Sequence, residues 1–175
     1  IGVFAKARLE PTTRLSLSAG ARYDWQDFTG HDFDATGNVH QSSHSGASGN
    51  LSVVYDVTDS LSLRGGYSSV FGGIDLADSY TFWGTWDYTG LQASRAQNIV
   101  VGADWEAGNW RLSGEWFETE IDDVRKQNRT IVGSEDFATS GFNFGATYGW
   151  DSGFARMTLS NSDAEINGQP SSSYD

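Results

Sequence analysis

Apolar and polar residues alternate strictly along most of the chain. From Leu15 to Trp25 the odd positions are apolar, while the even positions from Ser16 to Gln26 are polar, charged or glycine. Successive side chains of a β-strand point to opposite faces, so this period of two predicts a strand with one apolar and one polar face. The same pattern recurs and predicts eight strands, near residues 1–9, 14–28, 47–57, 61–71, 93–107, 110–123, 139–150 and 154–162.

In the strictly alternating part of each segment, such as Leu15 to Trp25 and Trp110 to Trp116, the apolar positions carry no charge. The opposite positions carry eleven charged residues, which are Lys6, Arg8, Arg22, Asp24, Asp56, Arg64, Asp104, Glu106, Arg111, Glu115 and Arg156. A charge on a lipid-facing position of a membrane barrel costs about 2–4 kcal/mol near the bilayer midplane, which would clear one face in this way. A soluble sandwich also alternates, with its apolar face turned inward, so alternation alone leaves both classes open.

The connections between the predicted strands are alternately short and long. The short ones are turns at residues 10–13, 58–60, 108–109 and 151–153, and the long ones are loops over residues 29–46, 72–92 and 124–138. Tight turns at one end and long loops at the other are typical of an up-and-down barrel in the outer membrane of a Gram-negative bacterium. Aromatic residues near both strand ends fit the two interfacial belts of such a barrel. We therefore expect an all-β, antiparallel, up-and-down transmembrane β-barrel, with this chain forming about eight strands of a larger barrel.

Composition excludes several other classes. The chain has 175 residues and a formal net charge of −12, so no basic surface is left to bind nucleic acid. It has no cysteine, which rules out disulfides and thiolate chemistry within it. It holds 21 glycines and 24 aromatic residues (7 Trp, 7 Tyr and 10 Phe), a mixture that favours β-structure.

Four pieces of the sequence, in order, resemble TonB-dependent outer-membrane receptors. They are Leu15-Ser-Leu-Ser-Ala-Gly-Ala-Arg-Tyr-Asp24, the hairpin from Leu51 to Ser68, Arg95-Ala-Gln-Asn-Ile-Val-Val-Gly-Ala-Asp-Trp105, and Trp116-Phe-Glu-Thr-Glu-Ile-Asp-Asp-Val124. The resemblance implies high-affinity capture of a ferric siderophore or similar scarce nutrient. Import would be driven by an energy-transducing inner-membrane complex acting on a plug domain. The plug, its partner-binding box and the terminal aromatic residue of that family have no counterpart here, so a piece of the C-terminal half of the barrel is expected.

The rim sequence bears on the ligand class. Haem-type members of the family carry a Phe-Arg-Ala-Pro motif after the Tyr-Ser rim. Here the rim is followed by Ser69-Val-Phe-Gly-Gly73. The resemblance therefore implies a siderophore-type receptor in preference to a haem receptor, with cobalamin and other ligands left open. The resemblance also implies that the protein is surrounded by the lipid bilayer and lipopolysaccharide.

Two groups of residues are candidates for function. An aromatic cluster in the second predicted loop could stack on a flat ligand, and its members are Tyr80, Phe82, Trp83, Trp86 and Tyr88. Packing against the rim and the lipid headgroups is the alternative role for these five residues. The second group is expected to face the barrel lumen and to form ion-pair ladders, and it comprises Arg22, Asp24, Asp56, Arg64, Asp104, Arg111 and Glu115.

The first predicted loop contains weak metal-binding candidates. Asp32, Asp34 and Asn38 resemble the start of a calcium loop, but Ser43 stands where the twelfth-position acid is needed. His31, His40 and His44 also lie there, and His40 and His44 would be about 13 Å apart in an extended chain. We expect no resident metal, no cofactor and no enzymatic activity, since no serine is placed beside a histidine on a rigid element.

Two other interpretations stay open from the sequence. One is a self-contained eight-stranded outer-membrane barrel acting as an adhesin or structural protein, which would need the first strand to pair with the last. The other is a soluble secreted β-sandwich that binds carbohydrate through the tryptophan-rich loop.

Overall fold

The computed structural model describes residues 1–31, 39–73, 92–128 and 131–171, with side chains described throughout except at 30, 31, 40, 125–128 and 131–133. These residues form nine strands. They are β1 (Gly2–Thr12), β2 (Leu15–His31), β3 (Val39–Thr58), β4 (Leu61–Gly73), β5 (Ser94–Ala107), β6 (Trp110–Asn128), β7 (Ile131–Trp150), β8 (Gly153–Ile166) and β9 (Gln169–Pro170). Among the described residues, no helix has the length and apolar character needed to cross a bilayer.

The nine strands form one antiparallel sheet in simple chain order, from β1 to β9. Each strand pairs with the next, as at Ala5 opposite Ala21 and Ala21 opposite Gly49. The predicted all-β, up-and-down arrangement is therefore confirmed. Within the described ranges β1 pairs with β2 alone, and β8 pairs with β7 and β9, so the sheet is open and does not close on itself.

Within the described ranges, five two-residue turns join neighbouring strands. Four of them lie at residues 13–14, 59–60, 108–109 and 151–152, within or next to the short turns that the sequence predicts. The fifth joins β8 to β9 and was not predicted. Asn167 and Gly168 both have positive φ there, 51° and 71°. This is the turn geometry that an Asn-Gly pair favours in a tight hairpin, so the dipeptide was a readable signal.

Two of the connections expected to be long loops are largely strand. β2 and β3 stay paired from Trp25 opposite Ser45 to His31 opposite Val39, and β6 and β7 stay paired as far as Asn128 opposite Ile131. The loop prediction was therefore wrong at residues 29–31, 39–46, 124–128 and 131–138. We call residues 25–31 with 39–45 the first ribbon and residues 124–128 with 131–135 the second ribbon.

The ribbons have no apolar face, which explains why the alternation pattern does not predict them. Three neighbouring strands have already stopped pairing there: β4 pairs with β3 only as far as Gly49, β5 with β6 only as far as Asp122, and β8 with β7 only as far as Phe137. A two-stranded ribbon with water on both faces needs no apolar side, so the period-two hydrophobic signal disappears. The second predicted loop, over residues 72–92, agrees with the strand ends at Gly73 and Ser94, and residues 74–91 lie outside the described part of the chain.

The sheet has no interior core of its own. Within the described ranges, no large side chain is fully buried, and apolar side chains such as Leu51 and Val101 (both 56%) and Trp150 (48%) are extensively exposed. A soluble sandwich would bury this face against a second sheet, whereas the described residues form a single sheet. The apolar face therefore requires an apolar environment outside the chain.

Candidate functional site

The two faces of the sheet are chemically distinct, and strand register determines which residue lies on which. All seven residues predicted to face the lumen lie on one face, which we call the polar face. Arg64, for example, is opposite Gly102, which is opposite Glu115, and Asp104 is opposite Ser62 and Ser113. The other face, which we call the apolar face, carries the apolar positions predicted from alternation.

Arg64 joins three strands across the polar face. Its Nε lies 3.1 Å from Asp104 Oδ2 on β5, and its Nη2 lies 3.0 Å from Glu115 Oε2 on β6. Arg64 can span β5 because Gly102 lies underneath: a Cβ there would be 3.0 Å from Arg64 Nη2 and 2.8 Å from the Gly114 carbonyl oxygen. The glycine is buried, so the guanidinium group covers it.

The other residues predicted to form ion-pair ladders make contacts that span at most two adjacent strands. Arg111 Nη2 lies 3.0 Å from Glu106 Oε1, and Ser62 donates a hydrogen bond of 2.5 Å to Asp56. Arg22 contacts Asp24 in a bidentate arrangement, with both N···O distances 2.6 Å. The predicted polar set therefore forms several separate local clusters instead of one continuous ladder.

A groove of about 850 Å³ lies on the polar face over β1–β4. The Arg22–Asp24 pair, Lys6 and Phe4 line one side of it. Its floor includes Gly20, where a Cβ would be 2.9 Å from Asn50 Nδ2. Small residues in the floor thus make room for the polar side chains that project across it.

The end of β4 folds over this groove. After Ser69 the strand stops pairing with β3, and the Phe71 amide donates to Ser48 Oγ at 2.9 Å. The Phe71 ring lies on Gly46, where any Cβ would collide with it. Arg95 on the neighbouring strand β5 stabilises this part of β4. Its Nη1 donates hydrogen bonds to Ser69 Oγ at 2.8 Å and to the Ala47 carbonyl oxygen at 3.1 Å.

On the apolar face, aromatic rings gather near both ends of an uncharged band. Near the short turns, the Trp110 and Tyr148 ring centroids are 4.8 Å apart and those of Tyr148 and Trp150 are 6.3 Å apart. Near the ribbons, those of Tyr23 and Trp25 are 6.4 Å apart. Interfacial aromatic belts have this arrangement.

The band ends abruptly on the ribbon side. On β6 and β7 the row of Trp116 and Phe142 is apolar, but the next row on the same face contains Glu118 and Ser140. On β8 the polar residues begin one row earlier, at Asn161 opposite Phe142. The edge of the apolar layer therefore lies between two adjacent rows of β6 and β7.

Several predicted site residues lie outside the described residues. The aromatic cluster Tyr80, Phe82, Trp83, Trp86 and Tyr88 does so, as do the metal candidates Asp32, Asp34 and Asn38. His44 is described, and its Nε2 lies 2.5 Å from Ser42 Oγ. In the described part of the chain, no group of three or more His, Asp or Glu side chains could hold a metal ion.

Sequence reasoning missed the groove as a site. Phe4 was the available signal, since it is an aromatic residue at a polar position of an alternating strand, between Gly2 and Lys6. Phe71 gave no signal, because its place over the groove depends on β4 leaving β3 after Ser69.

The chain is similar in sequence to a known protein family and to several known proteins. Residues 1–173 match the sequence model of the family described as TonB dependent receptor-like, beta-barrel. The chain is 28% identical over 158 residues to the heme transporter BhuA of Brucella ovis and of Brucella abortus, which covers 86% of this chain and 23% of the relative. The chain thus spans about a quarter of the length of these relatives.

Solved structures share the fold. The FrpB iron transporter from Neisseria meningitidis superposes with a TM-score of 0.71 at 22% identity, covering 94% of this chain and 25% of FrpB. The copper transporter OprC gives 0.74 at 14% identity, with 94% and 29% coverage. The ferric-catecholate import receptor Fiu from E. coli gives 0.66 at 14% identity, with 96% and 28% coverage. From its family match and its two-faced sheet, this chain belongs to the TonB-dependent receptor β-barrel family.

Proposed function

We propose that this chain forms part of the barrel wall and external hairpins of an outer-membrane active transporter for a ferric siderophore or a similar scarce nutrient. The single observation that carries the proposal is the two-faced sheet. One face bears an uncharged band with aromatic residues at both ends, and the other bears ion pairs and grooves. A sheet of this kind separates lipid from a polar conduit.

Each face of the sheet has its own role in this arrangement. The apolar face contacts the bilayer and lipopolysaccharide, while the polar face lines the lumen around a plug supplied by the rest of the receptor. The energy for import comes from an inner-membrane complex that acts on the plug. This segment contributes wall and capture surface, and no covalent chemistry is required of it.

Haem is the second candidate substrate. The heme transporter BhuA is 28% identical over 158 residues, which favours haem. The sequence Ser69-Val-Phe-Gly-Gly73 at the rim, which lacks the Phe-Arg-Ala-Pro motif of haem-type members, favours a siderophore. Uptake measurements decide between the two.

The test uses the bacterium that encodes the whole receptor. A strain lacking the receptor gene and its complemented counterpart are starved of iron and supplied with a ferric catecholate, a ferric hydroxamate or haemin. We expect growth and cell-associated iron to fall in the deletion strain for one of these sources. Collapse of the proton-motive force should abolish the difference. Equal uptake by both strains from every source would contradict the proposal.

A further inference from the structure

The apolar band is shorter on β6 than on β2. Both strands begin directly after a two-residue turn and have a paired strand on each side. On β2 the apolar positions extend over residues 15–25, and the next residue on that face is Asp27. On β6 they extend over residues 110–116, and the next residue is Glu118. The band therefore covers ten residue steps on β2 (15 to 25) and six on β6 (110 to 116).

The length of the band determines how much of a bilayer each strand can cover. A strand rises about 3.4 Å per residue, and the strands of a membrane barrel tilt by about 40° from the barrel axis. The band on β2 is therefore about 26 Å tall, close to the apolar height of about 25 Å in outer-membrane barrels. The band on β6 is only about 16 Å tall by the same geometry. Hydrocarbon that fits β2 would thus extend past the apolar surface of β6.

The residues that follow the short band on the apolar face are acidic. Glu118 lies opposite Ser140 on β7, and Glu120 lies opposite Ala138. Within the described ranges, neither carboxylate has an ion-pair partner. An unpaired charge is costly in hydrocarbon, and no nearby cation offsets this cost. The edge of the hydrocarbon along β6 is therefore expected between Trp116 and Glu118.

The polar face changes character at the same end of the sheet. One row of paired residues on this face is apolar at every position across β4–β8, and it consists of Val70, Ala96, Ile121, Phe137 and Ile166. The last three line a cavity of about 200 Å³. Acidic residues on the outer surface and apolar residues on the inner one are the pattern of a sheet whose outer surface meets water. This second observation also places the rows of Glu118 and Glu120 outside the hydrocarbon.

We propose that the outer membrane is locally thinned along β6, with the hydrocarbon of its outer leaflet ending nearer to the short turns there than along β2. The partner of this surface is the lipid bilayer itself, which adapts to a short apolar surface by thinning at a modest cost per Å. The acidic rows lie in the aqueous headgroup region above the thinned layer. The proposal rests on the proposed function, because it requires the apolar face to contact lipid.

The test measures the depth of single spin labels in the whole receptor in native outer membranes. Each label reports its preference for oxygen, which concentrates in lipid, over a water-soluble nickel complex. The matched sites are Tyr23→Cys and Glu118→Cys, each eight residues from the first residue of its strand. We expect the label at 23 to prefer oxygen and the label at 118 to prefer nickel. Labels at 21 and 116, each six residues from the strand start, should both prefer oxygen. In a full scan, the transition on β6 should lie about 10 Å nearer to its turn than the transition on β2.

A double variant tests whether the two glutamates set the boundary. With the label at Ser140, opposite Glu118, wild type should prefer nickel. Glu118→Leu combined with Glu120→Leu should move the boundary outward by about two residues, roughly 5 Å, and shift this label towards oxygen. Glu106→Leu is the matched control, since it removes a carboxylate that pairs with Arg111 on the polar face, and it should leave the label unchanged. Heat-modifiability in gel electrophoresis verifies that each variant is folded.

The outcomes separate this proposal from the proposed function. If the labels at 23 and 118 both prefer oxygen, the membrane is not thinned along β6, although the lipid-facing role of the sheet stands. A label at 118 that neither reagent reaches would show that another macromolecule covers the acidic rows, which also overturns the proposal. A label at Ser140 that does not respond to the double variant would contradict the assignment of the boundary to the glutamates. If the labels at 21 and 116 both prefer nickel, the apolar face does not contact lipid and both proposals fail.

Discussion

The two faces of this sheet differ in the chemistry of the side chains that they expose. On the apolar face, large side chains such as Val101 and Trp150 are exposed, and the band between the aromatic clusters has no charge. On the polar face, charges are abundant, and glycines under Arg64 and Phe71 let long side chains lie flat across neighbouring strands. One backbone therefore supports a lipid-compatible surface and a hydrophilic one, and strand register alone keeps them apart.

The largest expected effect comes from placing a charge on the wrong face. Val53 lies on the apolar face, opposite Leu17 and Gly65, in the middle of the uncharged band. Val53→Arg should lower the free energy of unfolding of the whole receptor in lipid vesicles by about 2–4 kcal/mol. Urea titration followed by tryptophan fluorescence measures it.

The neighbouring residue provides the control. Ser52 lies next to Val53 on the same strand but on the polar face, and it is exposed. Ser52→Arg should change the free energy of unfolding by less than about 1 kcal/mol, as surface substitutions usually do. Equal losses in the two variants would remove the distinction between the faces.

A second prediction concerns the glycine under Arg64. In Gly102→Ala the new Cβ would meet the Gly114 carbonyl at 2.8 Å and the Arg64 guanidinium at 3.0 Å. Since the carbonyl is backbone and cannot step aside, we expect a loss of about 1–3 kcal/mol, the usual range for overpacking. The loss is read from the same urea titration.

Gly114→Ala is its matched control, because nothing lies within 4 Å of a Cβ at that position. Replacing a glycine in a strand interior removes its entropic disadvantage, so this variant should be neutral or more stable by about 0.5–1 kcal/mol. A Gly102→Ala receptor as stable as Gly114→Ala would show that Arg64 does not depend on the glycine.

The smallest expected effect is the coupling between Arg64 and Glu115. Their side chains are 32% and 27% exposed, and the two atoms are 3.0 Å apart. A double-mutant cycle should give a coupling energy of about 1 kcal/mol, the upper end for partly exposed pairs. The Arg8–Glu10 pair, 67% and 61% exposed, should give about 0.3 kcal/mol or less and should vanish in high salt. A larger coupling for Arg8–Glu10 would contradict this order.

Sequence reasoning recovered the features that depend on period two. The face of each of the seven residues predicted to face the lumen, such as Arg22 and Glu115, follows directly from alternation, because the side-chain period of a strand is fixed. The strand order follows from the alternately short and long connections. The ribbons did not follow, since a hairpin in water has no apolar face to mark it. The predicted strands stop at residue 162, short of the tight turn that Asn167-Gly168 favours.

The groove depends on three-dimensional information that periodicity does not carry. Phe4 could be noticed as an aromatic residue in a polar register. Phe71 lines the same groove because β4 leaves β3 after Ser69, which no local pattern of the sequence encodes. The aromatic cluster at Tyr80–Tyr88 remains a prediction.

The most direct test of the central claim, that one face of the sheet meets lipid and the other water, is an accessibility scan along β5. The chain contains no cysteine, so single cysteines at residues 98–101 and 103 of the whole receptor can carry spin labels without background from this segment. In native outer membranes, residues 99, 101 and 103 should be accessible to oxygen, which concentrates in lipid. Residues 98 and 100 should respond instead to a water-soluble nickel complex. Equal exposure of odd and even positions to both reagents would contradict the account.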